Sequence, residues 1–294
     1  MKIPELLNVL TKRRHPPNSR PVRIAAHLAL RLVSSVGARA HIEDFRSIER
    51  FCLFVGHGRS GHSMVGSLLD AHPSMVIAHE FHTLQHLKPD LSEQELYYLL
   101  LSRARWFARR NARWSGYKYA VPSQYKGEYS TLRVIGDKKG GGTSAILVRN
   151  PELLGALREL LSVPVNVIHV TRHPLDNIST LARKDRGSDV DEGIDLYFQL
   201  CEGVRRARRQ TADEHWLTLP LEEFIWSTQE HLTKTCSFLE VESPEEYIRD
   251  CSDIVFDTPS RSREKIAFTP SQLSRIQREA KSFSFLDDYD FFGG

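Results

Sequence analysis

The chain has 294 residues, of which 40% are hydrophobic and 26% charged, with a formal net charge of +3. That is enough chain to bury a substantial core, in one large α/β domain or two small ones, with the composition of an ordinary soluble globular protein. So small a net charge gives no ground for nucleic acid or a membrane as partner, and four cysteines (Cys52, Cys201, Cys236, Cys251), none in a C-x-x-C pair, point to reduced thiols rather than a zinc site or a disulfide framework.

Residues 1–20 are basic, carry Pro16 and Pro17, and read as a loose arm. The stretch Pro21 to Val36 is interrupted by Arg23 and Arg31. It falls short of the ~20 apolar residues a membrane span needs, and it lacks the small-residue cleavage site of a secretory signal. It reads as an amphipathic helix packed on the domain, with a membrane-surface anchor as the sharper alternative. A cytoplasmic location is expected, with an N-terminal arm and helix over 1–48 and a single domain over 49–294.

Phe51 to Val55 (FCLFV) is a continuous apolar run closed by Gly56, the mark of a buried parallel strand. Ser63 to Ala71 has helical spacing, with Met64, Leu68 and Ala71 on one face, and Pro73 stops it. Met75 to Ala78 reads as a second short strand. Residues 92–114 carry helical periodicity, opened by a Ser92-x-x-Glu95 capping box and rich in arginine (Arg103, Arg105, Arg109, Arg110, Arg113). Val134 and Ile135 end a strand ahead of the glycine run Gly140–Gly142. Pro151 to Leu161 reads as a helix, and Val165 to Thr171 (VNVIHVT) as a strong β-branched strand. Helices follow from Pro174, over Leu196 to Arg209, Ser227 to Leu239 and Pro270 to Lys281. The alternation argues for an α/β fold of three layers, a mostly parallel sheet flanked by helices. Ligands of such sheets bind beyond the carboxyl ends of the strands, so the residues after Val55 and after Thr171 are the ones to search.

After Val55 comes GHGRSGHS, between a strand and a helix. Gly56 and Gly61 suit a tight loop whose N–H groups point inward, and the helix N-terminus adds positive character. Arg59, Ser60, His62 and Ser63 can donate further hydrogen bonds. The loop therefore suits a phosphate-like anion. Its spacing approaches the nucleotide-triphosphate P-loop, but His62 stands where that motif needs lysine. The strand Val165 to Thr171 also ends in Arg172 and His173 rather than in a magnesium-binding aspartate. Arg172, at the mouth of that strand, can fork onto a phosphate, and a hydroxyl early in the next helix, Ser179 or Thr180, can complete the cradle. Pro174 suits the helix entry, and Asp176 can cap it.

Together these motifs resemble the sulfotransferases that use 3′-phosphoadenosine-5′-phosphosulfate (PAPS). The 5′-phosphosulfate loop of that family, a strand, then [KR]-S-G-[ST]-[ST], then a helix, is similar to Arg59-Ser60-Gly61-His62-Ser63. Its 3′-phosphate site, a strand ending in Arg with a Ser eight residues on, is similar to Arg172 and Thr180. The run LLDAHPSMVIAHE, Leu68 to Glu80, is similar to the Golgi-type and tyrosylprotein branch. The likeness covers about residues 51–184, with His62 in place of Ser or Thr and Thr180 in place of Ser as departures.

The resemblance implies a P-loop-like fold and a sulfuryl transfer from PAPS to a hydroxyl or amine, with no metal. It makes Glu80 the general base, with His79 and His82 as rivals. Arg59 would steady the leaving phosphate, Gly58 to Ser63 would hold the 5′-phosphosulfate, and Arg172 with Thr180 or Ser179 the 3′-phosphate. Lys138 is the lysine expected at the sulfuryl group, with Lys139 beside it as the alternative. Arg261, Arg263 and Lys265 are weaker candidates for closing over the 3′-phosphate. The arginine-rich helix could greet an anionic acceptor such as a glycan or acidic peptide, although a solvated face accounts for it as well. His79, His82 and His86 are spaced like metal ligands, without any chemistry that needs a metal. Phe291 and Phe292 are the residues by which the C-terminus would dock. Two other readings compete: a P-loop kinase of a small metabolite, and a non-catalytic nucleotide-binding module.

Overall fold

The computed structural model describes residues 20–87, 91–110, 113–114, 117–122, 125, 127–184 and 189–290. In chain order, α1 (Arg20–Ala40) and α2 (Ile42–Phe45) lead into β1 (Arg50–Gly56), α3 (His62–Asp70) and β2 (Met75–His79). Then come α4 (Thr83–His86), α5 (Glu93–Arg109), a short ribbon of β3 (Arg113–Trp114) and β4 (Tyr117–Lys118), and β5 (Val134–Lys138). The second half runs α6 (Gly140–Arg149), α7 (Leu153–Leu160), β6 (Val165–Thr171), α8 (Pro174–Lys184), α9 (Val190–Arg209) and β7 (Trp216–Pro220). It closes with α10 (Leu221–Trp226), α11 (Thr228–Phe238), α12 (Glu245–Ser252) and α13 (Pro270–Ala280).

Five parallel strands lie in the order β2-β5-β1-β6-β7. The two-residue period of the strands separates two cores. Phe51, Leu53 and Val55 face one cluster with α5 and α7, whereas Cys52 and Phe54 face another with α3, α10, α11 and α12. The expected three-layer architecture is present. Because β1 is central, the loops after β1, β2, β5 and β6 converge on one edge of the sheet, where such folds hold ligands.

Four expectations need correction. The arginine-rich helix ends at Arg109, and Arg113 pairs instead with Lys118 in the β3–β4 ribbon. The strand holding Val134 and Ile135 does not end there but continues to Lys138, and the glycine run opens α6. A Cβ on Gly140 would lie 2.2 Å from His62 Nε2, so only glycine lets α6 start this close to the loop after β1. Strand β7 escaped the sequence reading: it is a short edge strand, only alternately buried, that ends in Pro220. Helix α9 begins at Val190, a turn and a half earlier than expected, capped by Asp189.

All four cysteines are buried and unpaired. No described helix is long and apolar enough to cross a membrane. Phe291 and Phe292 lie outside the described residues. The preceding turn docks on β6 and α8: Tyr289 Oη donates to Thr171 Oγ1 (3.0 Å), and Asp290 O accepts from His173 Nε2 (2.9 Å).

Candidate active site

The loop after β1 turns through Arg59, which is exposed and in the left-handed region (φ 74°), into α3. Ser60 is fully buried, and its Oγ accepts from Asn177 Nδ2 of α8 at 2.8 Å. The Ser60 side chain thus fastens the underside of the loop to α8. His62 is also turned inward. Its Nε2 donates to Val55 O (3.0 Å), and its ring meets Phe54 edge-on. Burial lowers its pKa to about 4, so it is a neutral strut between helix and strand. The expectation that the His62 side chain donates to a bound anion is corrected here: only its main chain faces the loop. Gly58 is open, since a Cβ there would meet nothing within 4 Å. Gly61 takes the N-cap position of α3, and Ser63 stands in its first turn.

Ser63 meets the end of β5. Lys138 is 2% exposed, with Nζ 2.9 Å from Ser63 Oγ and 3.2 Å from Glu80 Oε1. Its stem crosses Gly66 of α3, where a Cβ would sit 2.5 Å from Lys138 Cγ. Lys139 Nζ holds the other carboxylate oxygen, 2.7 Å from Glu80 Oε2. Both lysines of the pair thus reach Glu80. Burial lowers the Lys138 pKa to about 8 against the pull of Glu80. At Glu80, burial pushes the pKa up, but Lys138 and Lys139 outweigh it and hold the carboxyl at about 2.

Glu80 follows β2 with φ 53°, and His82 has φ 68°. Residues other than glycine hold such angles only where the surroundings enforce them. The enforcing group is Asp137, fully buried one residue before Lys138. Its carboxylate accepts from Phe81 N (2.9 Å), Thr83 N (2.8 Å) and Thr83 Oγ1 (3.1 Å). Burial pushes its pKa up, while these donors pull the other way. A strand-end aspartate therefore does exist next to β1, contrary to the sequence reading. Its oxygens are committed to the Glu80 loop, so it is not arranged as a magnesium ligand.

The rival bases are placed otherwise. His79 is 3% exposed, stacks on Phe107 at 3.7 Å between centroids, and burial lowers its pKa to about 2. His82 is half-buried, with its pKa lowered to about 4, chiefly by burial and then by Lys139. Among the described residues no three His, Cys, Asp or Glu side chains converge in a metal-binding arrangement. Arg103 is no free cation for an acceptor either: its Nε donates to His79 O (2.8 Å), and its guanidinium lies over Trp106.

At the end of β6, Arg172 joins three segments. It donates to Arg59 O (3.0 Å), Ser260 O (2.6 Å) and Ser262 Oγ (3.2 Å). Asp176 lies inside the first turn of α8 rather than capping it, and accepts from Arg263 N (2.6 Å) and Arg263 Nη1 (2.7 Å). Segment 260–265 is thereby folded over Arg172, while Arg261 stays exposed. Asp176, Glu222, Trp226, Arg261 and Arg263 line an adjoining cavity of about 450 Å³. Ser179 is fully buried, so of the two hydroxyls only the half-exposed Thr180 stands near the surface, its Oγ1 now bonded to Asp176 O (2.8 Å). Asp137, Lys139, Gly66 and Asn177 are the site residues sequence reasoning did not single out or left second; only Lys139 had a local signal, its place beside Lys138.

The family model described as "Sulfotransferase family" matches residues 53–245 of the chain. Among solved structures, the sulfotransferase domain of the olefin synthase of Synechococcus PCC 7002 superposes with a TM-score of 0.51 at 15% identity, covering 83% of this chain and 97% of that one. The sulfotransferase domain from the curacin biosynthetic pathway gives 0.53 at 13% identity, covering 81% and 99%. A sulfotransferase from Mycobacterium avium gives 0.50 at 13% identity, covering 88% and 83%. At such identities the structures speak for the fold. No curated protein matches the chain.

Proposed function

Since the chain belongs to the sulfotransferase family, we propose that it transfers the sulfuryl group of PAPS to a hydroxyl or amine of its acceptor, with Glu80 as general base. The observation that carries this reading is the position of Lys138 Nζ, 2.9 Å from Ser63 on the anion-binding loop and 3.2 Å from Glu80. One ammonium then serves both the donor and the proton acceptor. The run Leu68 to Glu80 supports placing the chain nearest the Golgi-type and tyrosylprotein branch.

In this mechanism the acceptor oxygen or nitrogen attacks sulfur in line. A bond to sulfur forms as the bond from sulfur to the bridging oxygen of the 5′-phosphate breaks, and 3′,5′-ADP leaves. The acceptor's proton passes to the Glu80 carboxylate. That requires one carboxylate oxygen to be free. Lys138 releases Oε1 when it turns to the sulfuryl oxygens, while Lys139 keeps Oε2 and the orientation of the group. The N–H groups of Gly58 to Ser63, with Ser63 Oγ, hold the 5′-phosphosulfate. Arg59 and Lys138 stabilise the charge that grows on the bridging oxygen. Arg172 and Thr180 hold the 3′-phosphate, each exchanging its present protein partner for phosphate oxygen.

Calorimetric titration tests the reading. Without magnesium, 3′,5′-ADP is expected to bind and ADP to bind far more weakly. Arg172→Ala is expected to weaken 3′,5′-ADP roughly 10- to 100-fold, the worth of a charge-assisted hydrogen bond. Preference for Mg·ATP over 3′,5′-ADP would overturn the assignment in favour of a kinase.

A further inference from the structure

Helix α1 has two apolar faces. Leu30 and Val33 on its inner face pack against the core cluster of α5, and Gly37 fits against the Tyr98 ring. On the outer face Leu32 and Val36 stand one helical turn apart and are 68% and 60% exposed. Arg31 and Arg39 are exposed on the same stretch. The domain has already satisfied the inner face, so the outer pair is surplus to folding.

Charge is just as unevenly placed. Residues 1–40 contain eight lysines and arginines and a single acid, Glu5, although the whole chain carries only +3. The remainder of the chain is therefore net acidic. A basic segment that leads into a helix with protruding leucine and valine combines the two features that hold a protein on a charged bilayer: attraction to anionic headgroups, and apolar side chains that enter their boundary.

We propose that the basic segment 1–40, with Leu32 and Val36 of α1 as its apolar contact, binds the surface of an anionic lipid bilayer. The helix lies on the membrane, since no described helix is long and apolar enough to cross one. A second copy of the chain fits the patch poorly. The two protruding apolar side chains among the described residues of α1 offer far less than the roughly 800 Å² per partner of a stable interface, and like basic segments would repel. Nucleic acid would use the charge but leave the apolar pair in water.

The test is sedimentation of the full chain with vesicles of phosphatidylcholine alone or of phosphatidylcholine mixed with phosphatidylglycerol. Binding is expected only to the mixed vesicles, and to weaken as salt rises. A Leu32→Gln, Val36→Gln double variant changes only exposed side chains and is expected to bind the mixed vesicles about tenfold more weakly, with unchanged circular dichroism and unchanged affinity for 3′,5′-ADP. Absence of binding to the mixed vesicles at low salt would overturn the proposal, as would full binding by the double variant. A dimer in light scattering that the double variant loses would assign the patch to a second copy instead. Apart from the 3′,5′-ADP control, none of these outcomes depends on the reaction proposed above.

Discussion

Lys138 and Glu80 leave the ends of neighbouring strands β5 and β2 and meet with Nζ 3.2 Å from Oε1. The register of the two strands sets this pairing, because Lys138 lies opposite His79, the residue before Glu80. The two groups can therefore be varied separately without moving the sheet.

Glu80→Gln keeps the shape of the side chain and removes the proton acceptor. Turnover is expected to fall ~10²–10⁴-fold, with calorimetric affinity for 3′,5′-ADP close to that of the wild type. Equal losses in turnover and affinity would remove Glu80 from the role of base.

The same substitution predicts a pH-dependent loss of stability. The Glu80 carboxyl titrates at about 2 in the fold against an ordinary value of 4.5: burial alone would raise it, and Lys138 and Lys139 overcome that. A depressed carboxyl stabilises the fold above its unfolded pKa and loses that contribution as pH falls through the folded one. In urea denaturation, wild type should exceed Glu80→Gln by about 3 kcal/mol above about pH 4.5, and the gap should close toward pH 2.

Lys139 supplies one of the two charges that hold Glu80 down. In Lys139→Met the acid limb of the kcat/KM profile is expected to move to higher pH, and in Lys139→Arg to stay near the wild-type position. A limb that does not move in the Met variant would mean that another group sets it.

Asp137→Asn replaces a carboxylate that accepts three hydrogen bonds with an amide that points a donor at backbone N–H groups. The expected cost is about 1–3 kcal/mol in denaturant stability. Turnover should drop further than 3′,5′-ADP affinity, because the residues released are those that aim Glu80. Loss of affinity alone, with turnover kept, would contradict a positioning role.

Gly66→Ala tests the path of Lys138, since the new Cβ would lie 2.5 Å from its Cγ. Turnover and stability should both fall, the latter by about 1–3 kcal/mol for an overpacked contact. Gly155→Ala is the matched control: its Cβ meets nothing within 4 Å, and it should stabilise α7 by about 0.5–1 kcal/mol. Wild-type turnover in Gly66→Ala would show that Lys138 can take another route.

Local patterns made much of the fold and part of the site legible. Strand β1 holds a continuous apolar run closed by Gly56, and β6 is a β-branched stretch that ends at Arg172, each a local signal of a buried parallel strand. The loop after β1 was legible for the same reason, as glycines and hydroxyls between a strand and a helix. Residue type alone misled at His62, which suggested a donor to an anion until packing turned its ring to Val55 O. It also left Ser179 open beside Thr180, the hydroxyl at the eight-residue spacing, until the helix turned Ser179 into the interior.

The sequence by itself determined the three-layer class, the two strand ends to search and the short list that included Glu80, Lys138 and Arg172, because each depends on neighbours within about ten residues. Only the tertiary structure decided how those residues work together. Asp137 reaches donors 54 and 56 residues away, Lys138 reaches Ser63 across 75, and Arg172 ties Arg59 to Ser260 across 113 and 88. Such contacts follow from strand order and register, and these are set by the burial of both faces of the whole sheet rather than by any single segment.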